Sequence, residues 1–175
     1  MSKVYRPSVS QSRSKAIMNG AVEITKRTNV TTPANPLYFA FDIPTGRRFI
    51  LFNRDLEVTE GRYTLDIVTA SGGWSGGTVC YKTKLAQGNT DTVDTDVYVG
   101  VTASGTITTV AELALIETGS TTGSSKRAGG AAAVDGVIKS FNNGDNVLLR
   151  LQQVSTPSEN YTASFLLIGW EEDDD

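Results

Sequence analysis

Short runs in which apolar and polar residues alternate follow one another along most of the chain. Alternation with a period of two predicts β-strands. The clearest runs cover residues 37–43, 63–67, 79–85, 97–101, 147–151 and 161–170. Turn-forming residues separate them, as at Pro44-Thr45-Gly46-Arg47 and Asn142-Asn143-Gly144-Asp145. The pattern predicts an all-β fold, an antiparallel β-sandwich or jelly roll.

Two pairs of adjacent runs are predicted to form hairpins. In the first, residues 56–58 lead through Thr59-Glu60-Gly61-Arg62 into the run at 63–67, and Gly61 can adopt the positive φ that a tight turn needs. In the second, the run at 147–151 continues through Pro157-Ser158 into the final run at 161–170. Residues 106–118 allow two interpretations. Thr109 and Glu112 fit a helix capping box, whereas Gly105 and Gly119 could equally bound a strand.

The alternation fails in two places, and both failures predict burial on two sides. Residues 49–52 form a continuous apolar run with no polar face, and the final run carries apolar residues on the face that should meet water. Apolar groups on both faces are expected in a central strand or beneath an interface between subunits. The predicted self-association residues are Phe49, Phe52, Leu166, Ile168 and Trp170.

The first 20 residues form a different region. They carry basic side chains, serines and few apolar groups, so they cannot bury enough surface to fold alone. The interpretation is an extended basic arm over residues 1–20, preceding a β-sandwich domain over 21–175, with a frayed terminus as the alternative. An arm of this kind would contact an acidic partner surface through Lys3, Arg6, Arg13 and Lys15. Nucleic acid is the weaker candidate partner, because four charges give only modest, salt-sensitive binding to it.

Composition limits the alternatives. The chain of 175 residues fits one domain, and its net charge of −3 separates into a basic start and the acidic end Glu171-Glu172-Asp173-Asp174-Asp175. The start lacks the apolar core of a signal peptide, and no apolar run reaches the ~20 residues of a membrane helix. Synthesis and assembly in a cytoplasm are therefore expected. The single cysteine, Cys80, excludes an intramolecular disulfide.

Candidate catalytic motifs lack their partners. Residues 73–77 fit G-x-S-x-G around Ser75, but that nucleophile elbow needs a strand-turn-helix setting and a histidine base, and the chain contains no histidine. Ser12 to Lys15 fits S-x-x-K, without either companion motif. No enzymatic activity is therefore expected.

Candidate metal and cofactor sites are equally incomplete. Asp91, Asp94 and Asp96 could offer carboxylates to calcium, but the glycine and terminal glutamate of an EF-hand are missing, so a solvated acidic loop is favoured. With no histidine and one cysteine, a zinc or iron site is not expected, and no cofactor is predicted. Trp74, within the glycine-rich residues 71–77, could stack on a sugar or fill a partner's pocket, or it could pack back over the sheet.

From residue 47 to 172 the order of these signals resembles a family of small accessory virion proteins of tailed bacteriophages. The resemblance lies in the run 49–52 with the charged turn after it, the Gly76-Gly77-Thr78 start of a strand, the long Gly/Ser loop at 119–136, and the segments 143–151 and 165–172. It implies a β-sandwich decoration or cement protein of a capsid, or a small tail component. No active-site residues carry over.

This resemblance implies a non-enzymatic virion protein that binds the major capsid protein or other virion proteins. A homo-oligomer is expected, with a trimer favoured because capsids offer three-fold sites. The alternative is a tail component or a carbohydrate- or receptor-binding module that uses Trp74 and the polar loops.

Overall fold

The computed structural model of the chain describes residues 20–59, 61–85, 92–117, 126–129, 139–154 and 160–174. At residues 52–53, 114–117, 126–129 and 139 only the backbone is described. All regular structure in these ranges is β-strand. The strands are β1 (Val22–Val30), β2 (Leu37–Asp42), β3 (Arg47–Val58), β4 (Arg62–Ala70), β5 (Trp74–Ser75), β6 (Thr78–Val79), β7 (Tyr81–Lys84), β8 (Asp96–Val99), β9 (Thr102–Ala103), β10 (Ile107–Glu117), β11 (Lys126–Gly129), β12 (Lys139–Asn142), β13 (Val147–Gln153) and β14 (Tyr161–Asp173).

Two antiparallel six-stranded sheets face each other, as in a β-sandwich. The front sheet has the order β11-β3-β14-β1-β7, and β12 pairs with the same edge of β3 as β11. The back sheet has the order β10-β4-β13-β2-β8-β6. A separate two-stranded ribbon joins β5 to β9. The pairings are nested from the chain ends inward: β1 with β14, β2 with β13, β3 with β12, and β4 with β10.

Aromatic residues join the sheets across one shared core. The ring of Phe39 in the back sheet meets that of Phe165 in the front sheet edge to face, with centroids 4.5 Å apart. Tyr63 and Tyr161 make a second cross-sheet contact at 4.7 Å. The alternation had predicted these inward faces correctly: the odd-numbered apolar residues of β2, β4 and β14 are buried. Such aromatic pairs bury apolar surface between the sheets and so stabilise their contact.

Both predicted hairpins are wrong. β3 belongs to the front sheet and β4 to the back sheet, so Gly61, although its φ is +93°, turns the chain from one sheet to the other. β13 and β14 are separated in the same way, and β14 pairs with β1 and β3 instead. An arch between sheets and a hairpin within one sheet both leave the apolar residues pointing at the core. Alternation therefore cannot distinguish them.

Residues 107–117 form a strand, which decides between the two interpretations of this segment. β10 pairs with β4, with register shifts on either side of Ala111 and Glu112. The helical capping box therefore does not form. The hydroxyl of Thr109 instead accepts a hydrogen bond of 3.1 Å from Arg150 Nη2. The β-branched run from Thr106 to Val110 favours an extended backbone, and the sheet provides its partner.

The pairing of β14 with β3 shifts register at one point: Ile168 pairs with Asn53, but Gly169 pairs with Leu51. This bulge reverses which β3 side chains point into the core. They are Phe49 and Leu51 on the N-terminal side of the bulge in β3, and Arg54 and Leu56 on its C-terminal side. Gly169 is required at this crossing, since a Cβ atom there would lie 2.6 Å from the carbonyl oxygen of Ile50 and would also meet the ring of Phe49. Arg54 is thereby buried. Its Nη2 donates to the carbonyl of Leu113 in the opposite sheet at 3.4 Å, and burial lowers its pKa.

The outer faces of the two sheets are covered differently. On the front sheet a small cluster contains Ala21, Ile50 and Trp170, with Ile168 packed against it. On the back sheet the ribbon lies over a larger cluster, formed by Ala40, Val68, Ala70, Val101 and Leu148 with five partly buried neighbours. Each outer face thus carries an apolar cluster of its own besides the shared core.

Candidate functional site

A polar cleft opens at one end of the sandwich, where the connection between β2 and β3 meets the turn between β12 and β13. Its volume is about 210 Å³. Its lining combines buried apolar residues, exposed side-chain amides, one carboxylate and one indole. The lining residues are Phe41, Asp42, Ile43, Trp74, Asn142, Asn143, Gly144, Asn146 and Val147. The lining is therefore mostly polar at its exposed rim, with Phe41 and Ile43 buried beneath it.

The turn between β12 and β13 supplies the amides. The backbone N–H of Asn142 donates to Asp145 Oδ2 at 3.1 Å, and the amide of Asn143 donates to the carbonyl of Ile43, which ties the turn to the β2–β3 connection. Gly144 (φ +85°) and Asn146 (φ +48°) adopt the left-handed conformation that this turn needs. Within the described residues no hydrogen bond engages the side-chain amides of Asn142 and Asn146.

The ribbon positions Trp74. The backbone of Gly72 donates to the carbonyl of Ser104 at 3.0 Å, and the backbone of Ser104 donates to the carbonyl of Gly73 at the same distance. The hydroxyl of Ser104 also donates to the carbonyl of Gly72 at 2.7 Å. These bonds fix the glycine-rich segment to the connection between β9 and β10, which leads into the back sheet.

Trp74 packs back over the sheet, which was one of its two interpretations, but it is not fully covered. Its indole packs on Tyr98, with ring centroids 5.3 Å apart, and on the cluster of the back sheet. It is nevertheless only half-buried, and it forms part of the cleft wall. The sheet thus orients the ring, while part of its surface stays accessible.

The predicted self-association residues divide into three groups. Phe49 is fully buried, and Trp170 is 1% exposed with its Nε1 donating to Glu172 Oε1 at 2.9 Å. These two side chains have no free surface to offer a second copy, which corrects their assignment. Leu166 and Ile168 are half-buried on the outer face of the front sheet. The side chain of Phe52 lies outside the described residues.

One exposed apolar strip was not anticipated. Val79 is 48% exposed and Tyr81 73%, while Cys80 between them is buried. Alternation predicted one strand over residues 79–85, but the structure divides this run: Val79 ends β6 in the back sheet and Tyr81 begins β7 in the front sheet. Val79 and Tyr81 face solvent, because Cys80 between them points inward. Lys82, two residues after Cys80, donates to the carbonyls of the neighbouring loop at Val93 and Thr95. The preference of cysteine for burial was the available signal.

Of the carboxylates that the sequence offered to calcium, Asp96 has a structural partner. Asp96 accepts a 2.9 Å hydrogen bond from Lys82 Nζ, and Asp91 lies outside the described residues. Among the described residues, no group of three or more His, Cys, Asp or Glu side chains could hold a metal ion. Ser75 is exposed in β5, without the strand-turn-helix setting of a nucleophile elbow. Burial raises the pKa of the Cys80 thiol to about 12, so it remains protonated and weakly nucleophilic at neutral pH.

Charged groups at the chain end pair within the front sheet. β14 extends to Asp173, and its acids face the start of β3: Arg47 contacts Asp173 at 2.7 Å and Arg48 contacts Glu172 at 2.9 Å.

The predicted arm residues Lys3, Arg6, Arg13 and Lys15 lie outside the described residues. No helix long and apolar enough to span a membrane occurs in the described ranges. Comparisons with protein-family models, curated proteins and solved structures found no match.

Proposed function

We propose that the protein is a non-enzymatic structural protein of a bacteriophage virion, a decoration protein that binds and stabilises the assembled head. The observation that carries this proposal is the strand order. Nested pairing of β1 with β14, β2 with β13, β3 with β12 and β4 with β10 supports a jelly roll, the arrangement of a long antiparallel hairpin rolled into two sheets. Jelly rolls recur in viral capsid proteins and in lectins, and this link is an analogy of fold.

The accessible apolar surface supports a role in assembly. Leu166 and Ile168 lie side by side on the outer face of β14, where their cross-strand neighbours include Thr25 and Glu23 of β1 and Asp55 of β3. Two aliphatic side chains surrounded by polar ones suit a small contact with a capsid subunit or another copy. The basic arm, residues 1–20, would add a salt-dependent contact to an acidic capsid surface.

Fractionation of the virion tests the location. Particles produced by the genome that encodes this chain would be separated into heads and tails on a density gradient, and each fraction examined by mass spectrometry. The expected result is that the protein sediments with heads, in a stoichiometry that matches capsid symmetry. Recovery with detached tails would contradict the decoration role and favour the tail-component alternative. Absence from both fractions would overturn the virion proposal.

Deletion of residues 1–20 tests the arm. Head occupancy of the wild type is expected to fall as NaCl rises, and the shortened protein should bind more weakly and with less salt dependence. The matched control is a full-length protein in which Lys3, Arg6, Arg13 and Lys15 are changed to Gln. It removes the four charges of the arm and keeps its length. Unchanged occupancy in both variants would exclude the arm as an anchor.

Oligomeric state tests the surface on β14. Light scattering after size-exclusion chromatography should show an oligomer, with a trimer as the proposed state, and Leu166→Lys with Ile168→Lys should shift it toward monomer. The pair Thr162→Lys and Ser164→Lys, on the same face of β14, controls for added charge. A folded wild-type monomer at micromolar concentration would contradict self-association in solution.

A further inference from the structure

The cleft gathers polar side chains that have no hydrogen-bond partner among the described residues. The amides of Asn142 and Asn146 and the carboxylate of Asp42 surround it, and none of these three side chains makes a hydrogen bond within the described residues. The half-buried indole of Trp74 forms another part of the wall. We infer that this cleft is a carbohydrate-binding site that takes one pyranose ring.

The chemistry of the lining selects this ligand class. Each sugar hydroxyl both donates and accepts a hydrogen bond, and each asparagine amide offers two donor hydrogens and an accepting oxygen. The C–H groups on one side of a pyranose ring form an apolar patch that can pack on an indole, which combines an apolar body with a polar edge. The volume of about 210 Å³ is below the roughly 300–1,000 Å³ of pockets for drug-sized ligands, so it suits a single ring.

Other ligand classes fit the lining less well. Phosphate and other anions would be repelled by Asp42 in the wall and by Asp145 in the adjoining turn. A metal ion would need more anionic ligands than the single carboxylate of the wall. An apolar peptide would leave the amides of Asn142 and Asn146 without hydrogen-bond partners, at a cost in affinity. A neutral ligand rich in hydroxyl groups satisfies all of these groups together.

The site is held in place before a ligand arrives. The bond from Asn143 to the carbonyl of Ile43 fixes the turn, and the bonds of Ser104 fix the segment that carries Trp74. Tyr98 supports the indole from the sheet. A preorganised site loses less conformational entropy on binding, which matters for ligands that bind through few contacts. The inference does not depend on the virion role, because the cleft is complete within one chain.

A glycan array probed with the labelled full-length protein tests the inference first. The best saccharide would then be titrated as the methyl glycoside of its terminal sugar, with saturation-transfer NMR as the readout. Wild type is expected to bind saturably. Trp74→Ala and Asn142→Ala should each lower the affinity about five- to tenfold. Tyr81→Ala, which removes an aromatic ring that is 73% exposed and outside the cleft, should bind like wild type.

The test distinguishes loss of the binding site from loss of folding. Asn142 contributes only its backbone to the turn, so Asn142→Ala should remain folded even if Trp74→Ala is destabilised. Circular dichroism and thermal unfolding would verify that each variant is folded. The inference is overturned if folded wild type binds no saccharide on the array, or if binding is unchanged in both cleft variants. Either result leaves the virion fractionation experiment unaffected.

Discussion

The two tryptophans occupy comparable positions on opposite outer faces of the sandwich, and they differ in access. Trp170 on the front sheet is 1% exposed and lies with Ala21 and Ile50. Trp74 on the back sheet is half-buried, supported by Tyr98 and open to the cleft. One indole therefore serves the stability of the fold, and the other is available to a ligand.

The difference comes from the backbone that carries each indole. Trp170 continues a long central strand whose neighbours on both sides are hydrogen-bonded, so its surroundings are fixed by β1 and β3. Trp74 is in a two-residue strand reached through Gly72 and Gly73, which are bonded to Ser104 in the connection between β9 and β10. A short ribbon at the end of a sheet leaves part of its side chains open, whereas a central strand does not. Substitutions at the two positions should therefore have unequal effects.

The largest effect is expected for Trp170→Ala. Removing a fully buried indole leaves a cavity, and such changes typically lower the free energy of unfolding by about 3–5 kcal/mol. Urea unfolding followed by circular dichroism measures it. Tyr81→Ala, which removes a mostly exposed ring, is the control and should change stability by no more than about 0.5 kcal/mol. A loss under about 1 kcal/mol for Trp170→Ala would contradict the burial of this residue.

The next effect is expected from the ion pair on the outer face of the back sheet. Asp66 is 3% exposed, and its Oδ2 accepts bonds from Arg150 Nη2 at 2.7 Å and Nε at 3.3 Å. Asp66→Ala should destabilise the fold by about 3 kcal/mol, because it leaves a largely buried guanidinium without its carboxylate.

A double variant distinguishes this explanation from simple loss of packing. Asp66→Val combined with Arg150→Met removes both charges and should regain much of the stability lost in Asp66→Ala. Wild type, Asp66→Val, Arg150→Met and the double variant form a cycle of four proteins, which would be compared by urea unfolding. If the double variant is as unstable as the sum of the single ones, the unpaired charge is not the cause.

A smaller effect is expected for Trp74→Ala. Loss of the ring contact with Tyr98 and of part of the apolar cover on the back sheet should lower the free energy of unfolding by about 1–2 kcal/mol. Trp74→Phe keeps an aromatic contact and should lose less. Differential scanning calorimetry of both variants beside Trp170→Ala measures the contrast between the two faces. Equal losses for Trp74→Ala and Trp170→Ala would remove the distinction drawn between them.

Alkaline pH should affect neither face selectively, because the responsive groups lie in the shared core. Burial raises the pKa of Cys80 from 9.0 to about 12 and that of Tyr161 from 10.0 to about 12. Below about pH 8 both groups are neutral in the folded and unfolded states. As the pH rises from about 9 to 12, the unfolded chain ionises first, so stability should fall across that window.

The variant Cys80→Ala with Tyr161→Phe tests this origin. Its free energy of unfolding should depend less on pH between 9 and 12 than that of the wild type, whereas near pH 7 no pH dependence from these groups is expected in either protein. If the free energy of unfolding falls equally in the wild type and the double variant, groups other than Cys80 and Tyr161 cause the loss of stability at alkaline pH.

Much of the local structure followed from the sequence. The alternation at residues 37–43, 63–67 and 161–167 identified both the strands and their buried faces, and the turn at 142–145 formed as expected. Gly61 has the expected positive φ, but in an arch between the sheets and not in a hairpin. For the cleft, the sequence supplied Trp74 as a candidate. It gave no reason to associate Trp74 with Asp42 or Asn142, which lie far apart in the chain and meet only when the sheets assemble.

Sheet membership was decided by the tertiary structure alone. Period-two alternation states which side of a strand is buried, because side chains point to opposite faces of the backbone in turn. It does not state which strand lies alongside, since an arch and a hairpin satisfy it equally. For the same reason, alternation did not show that Tyr81 would face solvent or that Trp170 would be buried. The sequence by itself determined that this protein is built of strands around an apolar core, and only the packing of two sheets decided which apolar residues that core would cover.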